Sequence, residues 1–203
     1  MKFESENRPD GSFLLRAVPG EFDAVPLVDV LTLDRAPTEI SPSRLGLAAY
    51  LAFGEFSSGE LHFPRPIGPE LAAAIDVDTA PIRLRSHGID LVPKRLQRGE
   101  RTIVIGTELC LGGPTARLVV ASTAVAHGFL TWQQSTVVCS NSSILGTPSR
   151  SILAVAVLFA DELEAGEFLF EHDMNLAENE MIKLQVLLQS VGLNLSHSTA
   201  TRS

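Results

Sequence analysis

The sequence predicts a mixed α/β fold made of two similar halves. Three observations predict it: a helix-then-strand segment that occurs twice, short apolar runs divided by turn residues ahead of each copy, and a content of 45% hydrophobic and 20% charged residues, which suits a globular chain and not a disordered or fibrous one. With 203 residues the chain is long enough for one large domain or two small, closely packed ones. Aromatics make up only 6% of it, so the core must be built from Leu, Val, Ile and Ala.

The repeat sets Ser41 to Phe63 against Thr147 to Phe170. Pro42, Ser43, Arg44, Leu47, Ala48 and Phe53 recur as Pro148, Ser149, Arg150, Leu153, Ala154 and Phe159; one inserted residue later, Gly59, Glu60 and Phe63 recur as Gly166, Glu167 and Phe170. These are nine identities where average residue frequencies give about one or two, and they fall at positions with separable physical tasks. Ser41 and Thr147 are expected to cap a helix by accepting a first-turn N–H, and proline at the first helical position loses no bond there. Leu45 to Phe53 is Ala-rich helix material with Leu47, Tyr50 and Leu51 on one face. Its counterpart, Ser151 to Ala160, reads equally as a buried strand, and the pairing of the copies assigns it to a helix. Asp161, Glu162 and Glu164 at its end oppose the helix dipole by some tenths of a kcal/mol, less than the ~1.5–3 kcal/mol gained by each large apolar side chain buried.

In chain order, Lys2 to Asn7, Ser12 to Val18 and Val25 to Leu33 predict strands, the last two divided by Pro19-Gly20. The first repeated helix and the strand Glu60 to Phe63 follow, then a helix from Pro69 to Ile75 after Gly68, and Ile82 to Ser86 closes the first sheet. His87 to Glu100 reads as a linker. The second half offers strands at Arg101 to Thr107, Ala116 to Val125 and Phe129 to Ser140, punctuated by Gly112-Gly113-Pro114 and His127-Gly128. The second repeated helix, the strand Glu167 to Phe170 and a helix from Asn175 to Val191 complete it, with Asn175 and Glu178 spaced as a capping box. The expected organisation is therefore 1–86, a linker 87–100, 101–196 and a frayed tail 197–203. This order of strand, strand, strand, helix, strand, helix resembles ribonuclease-H-like and actin-like folds, a likeness of element order that implies a fold and no activity. Enzymes of those folds gather carboxylates at strand ends, whereas Asp34 and Glu108 here form no convincing two-metal cluster.

A formal net charge of −8 disfavours a nucleic-acid-binding surface, and the basic stretch from Arg83 to Arg101 reads as a solvated loop and strand edge. No apolar run reaches the roughly 18–20 residues of a membrane span, and the polar amino terminus lacks a signal-peptide core. A soluble, cytoplasmic protein is expected. Cys110 and Cys139 suggest neither a zinc pattern nor a disulfide framework; Cys139 reads as a core thiol. His62, His87, His127, His172 and His197 show no HxH or HExxH spacing, so no metal site is expected. No cofactor is indicated.

The one repeated polar feature is the Ser-Arg pair at each helix start. Ser43, Arg44, Ser149 and Arg150 combine free N–H groups, a helix dipole and a guanidinium, which together favour an anion; Asp34 and Asn141 lie in polar loops at strand ends, where ligands gather in α/β sheets. The competing reading has each arginine tying its helix start to a carboxylate of the other half. The expected function is an accessory or assembly domain working through a protein partner or a homo-oligomer. The alternative is an enzyme or sensor that binds a small anionic or phosphorylated ligand at the two helix starts.

Overall fold

The computed structural model describes residues 1–93, 96, 98–108, 114–171 and 176–197, which contain eleven strands and four α-helices. The first half runs β1 (Lys2–Asn7), β2 (Phe13–Val18), β3 (Val30–Leu33), α1 (Pro42–Phe53), β4 (Glu60–Ile67), α2 (Pro69–Thr79) and β5 (Arg85–Ile89). The second runs β6 (Arg101–Gly106), β7 (Arg117–Ser122), β8 (Leu130–Trp132), β9 (Ser135–Ser140), α3 (Pro148–Leu158), β10 (Ala165–Phe170), α4 (Glu178–Gln189) and β11 (Asn194–His197). All strands join one mixed sheet in the order β11-β10-β6-β7-β9-β3-β2-β1-β4-β5, with β8 paired to β9. Both repeated segments are helices, and the ambiguous apolar run Ser151 to Leu158 is buried throughout α3.

Period-two alternation decides which side of the sheet the helices cover. Phe13, Leu15 and Ala17 of β2, Leu61 of β4, Ile103 and Ile105 of β6, and Leu118 and Val120 of β7 join all four helices in a single core. The alternate residues Val119, Ala121, Val137 and Cys139 form only a small cluster on the opposite face, and Lys2, Glu4 and Arg16 stand exposed. Helices α1 and α3 pack against each other, as do α2 and α4. Ser43 through Phe53 of α1 are all buried, so apart from Ser43 and Arg44 in its first turn this interior helix is apolar on every side.

The halves differ in their meanders. In the first, β1–β2 and β2–β3 pair antiparallel as expected. In the second, β6–β7 and β7–β9 pair parallel, so the expected meander does not form. Only residues 8–12 join β1 to β2, whereas 107–116 join β6 to β7. Ten residues reach ~33 Å when extended, enough to return along a six-residue strand of ~20 Å.

Other expectations shift locally. Val25 to Asp29 stays outside β3 because Pro26 cannot donate to a ladder, and Leu27 is 97% exposed. Phe129 to Ser140 is the hairpin β8–β9, turned at Gln133 with φ 54°. Glu60 to Phe63 and Pro69 to Ile75 both extend further than predicted, and His87 to Ile89 belong to β5 and not to a linker. Helix α4 begins after Ala177, with no side-chain cap; Asn175, its expected cap, lies outside the described residues. Asn194–His197 pairs with β10, so His197 belongs to β11. Among the described residues no helix is long and apolar enough to cross a membrane.

Candidate functional site

The two repeated helix starts are closed by carboxylates of the opposite half. Neither Ser41 nor Thr147 caps its helix through its own side chain. Instead the Ser41 N–H donates to Asp161 Oδ2 at 3.0 Å, just beyond α3, and the Thr147 N–H donates to Glu55 Oε1 at 2.8 Å, just beyond α1. Each helix therefore ends where the other begins, so the pair is antiparallel, and an anion sits at each positive dipole end. Glu55 and Asp161 are themselves counterparts in the repeat, although their roles require the partner helix and leave no pattern in the sequence.

Arg44 is 1% exposed and bonds Asp161 Oδ1 at 2.6 Å while its Nε donates to the Val191 carbonyl. Burial lowers its pKa despite the attraction of Asp161. Arg150 is held differently. It grips Asp78 of α2 with two bonds of 2.9 Å and Glu180 of α4 at 2.7 Å, and these two carboxylates raise its pKa although burial alone would lower it. Asp78 is a buried hub of all four helices: it also accepts from Tyr50 of α1, and Lys183 of α4 donates to its backbone carbonyl at 2.9 Å. Burial alone would push the Asp78 pKa up, but the bonds from Arg150 and Tyr50 hold it below the ordinary carboxylate value. The Tyr50 hydroxyl is correspondingly hard to ionise, through burial first and Asp78 second.

Ser43 accepts the Gly68 N–H at 3.0 Å and so ties α1 to the start of α2. Ser149 is half-buried at the α3 start. Asp34 and Asn141 stitch the junction of the halves, where β3 and β9 meet antiparallel at the single pair Leu33–Ser140. Asn141 replaces further ladder bonds with its amide, accepting from the Thr32 N–H and donating to the Val30 carbonyl, both at 2.8 Å. Asp34 Oδ1 returns the gesture, accepting the Cys139 N–H at 2.9 Å. Burial first, and the Asp34 charge second, push the Cys139 thiol up to about 11, which suits a core residue and not a nucleophile.

The start of α1 borders a cleft. This cleft of about 1110 Å³ is lined by Ser41 to Leu45, with Arg65 and Arg98 and the carboxylates of Glu39, Asp90, Glu100 and Glu164 around it. Of the six residues expected at a site, Ser43 and Arg44 line this cleft; Ser149, Arg150, Asp34 and Asn141 do not. No protein-family model, curated protein or solved structure matches the chain.

A second constellation escapes a linear search. Glu60 and His62 on β4 and His87 on β5 offer ligand atoms that all lie within 4.8 Å of one another. The sequence shows no HxH because the two histidines come from neighbouring strands, paired in register. The signal available was Glu60-x-His62, two side chains on one face of a strand.

Proposed function

We infer that the chain is a binding module whose ligand enters the cleft at the start of α1. The cleft carries this reading: the α1 start, with its Ser41 N–H and Arg44 held by Asp161, lines a space of about 1110 Å³. That volume suits a small molecule. The lining does not suit a bare anion, since Arg65 and Arg98 share it with Glu39, Asp90, Glu100 and Glu164. A ligand bearing both an anionic group and a basic one, of amino-acid or amine-phosphate type, satisfies both signs.

Thermal-shift titrations with inorganic phosphate, a panel of amino acids and a polyamine test it. A saturable shift with a zwitterion, weakened in Arg65→Ala or Arg98→Ala, supports the reading; no shift with any of them defeats it.

Assembly through a protein partner is favoured by a different observation. Phe22, Val25 and Leu27 stand 82%, 80% and 97% exposed on the loop between β2 and β3. Light scattering across a concentration series, with Leu27→Ser as comparison, tests self-association by this loop.

A further inference from the structure

The geometry points to a divalent transition-metal site, with zinc as its reference ion, formed by Glu60, His62 and His87 on the sheet face opposite the helices. The register builds it. Leu61 is buried in the helix-side core, which sends its neighbours Glu60 and His62 to the other face. Strands β4 and β5 pair parallel with His62 beside His87 and Glu60 beside Arg85, so both imidazoles lie on that same face. One carboxylate and two imidazoles form a donor set that favours zinc and its first-row neighbours over calcium or magnesium.

The distances to Glu60 are compatible with an ion between the three groups. His62 Nε2 lies 3.5 Å from Glu60 Oε2, and His87 Nε2 lies 3.3 Å from Glu60 Oε1. Both exceed the usual N–H···O range of 2.7–3.2 Å, yet ligands about 2.0–2.1 Å from a tetrahedral centre stand about 3.3 Å apart. His87 Nε2 is buried and makes no well-formed hydrogen bond, with Glu60 Oε1 at 3.3 Å across from it, and a ring nitrogen so placed gains from a metal ligand bond. The rings are stacked, with centroids 4.5 Å apart and planes 10° from parallel. Loading therefore requires the imidazoles to tilt toward a common point, and the His62 and His87 side chains, 48% and 36% exposed, have room to do so. Three protein ligands leave at least one position for water or an incoming group.

The site is independent of the α1 cleft. Chelator-treated full-length chain titrated calorimetrically with Zn²⁺ is expected to take up one equivalent. His62→Ala with His87→Ala should weaken uptake at least tenfold, whereas His127→Ala, which alters an exposed histidine elsewhere, should leave it unchanged. Co²⁺ in place of Zn²⁺ should give visible absorption that the double variant loses. Glu60→Gln, which preserves side-chain shape, provides the same comparison should a histidine variant lose its fold by circular dichroism. Absence of saturable uptake by the unaltered chain, or uptake undiminished in the folded double variant or in Glu60→Gln, would overturn the assignment.

Discussion

The starts of α1 and α3 carry the same Pro-Ser-Arg sequence and do different work. At α3, Arg150 is surrounded by Asp78 and Glu180 and serves as a clamp joining three helices. At α1, Arg44 pairs with Asp161, which also receives the Ser41 N–H, beside an open cleft. The difference shows that an arginine's role is set by where the opposing carboxylates fall. Asp78 comes from the turn of α2 that reaches Arg150.

If Arg150 is the fastening, Arg150→Ala should be the most damaging change, costing about 3–5 kcal/mol because it strands Asp78 as an uncompensated buried charge; denaturant unfolding checks this. Acid should act in the same direction. The folded pKa of Asp78 lies below its ordinary value, so the stability it supplies is complete above about pH 4 and is lost as pH falls through the depressed folded value. In Asp78→Asn that part of the acid dependence should vanish, and an unchanged acid profile would show that other carboxylates dominate.

Asp161→Ala should cost about 3 kcal/mol, since it removes a charged partner of a buried guanidinium and a backbone acceptor together. Its counterpart Glu55→Ala loses only the contacts to the Thr147 N–H and hydroxyl, about 1 kcal/mol by thermal unfolding. Equal losses for these two would break the contrast between the helix starts. Between them falls Asn141→Ala, which leaves two backbone groups of β3 short of partners at the junction, for about 1–3 kcal/mol.

Much of the fold was legible. The repeat assigned Ser151 to Leu158 to a helix, the turn residues divided the first three strands, and Pro42 and Pro148 marked the first helical positions. The parallel pairing of β7 was not legible, because strand direction depends on how the connection travels and not on the residues of the strand. The expected caps, Ser41 and Thr147, were displaced by Asp161 and Glu55, since a carboxylate from a neighbouring helix end is a stronger acceptor than a local hydroxyl. Of the residues read as a candidate site, Ser43 and Arg44 line the cleft, and the repeat gives no sign of which copy does so.

By itself the sequence determined the class of fold and the places where α1, α2 and α3 begin, because hydrophobic period, proline and turn chemistry act over a few neighbouring residues. Which side chains meet was decided by the tertiary structure. His62 and His87 stand 25 positions apart in the chain and beside each other in the sheet, and Arg150 finds Asp78 on a helix of the other half. Such encounters depend on strand register and helix packing, which a one-dimensional pattern does not contain.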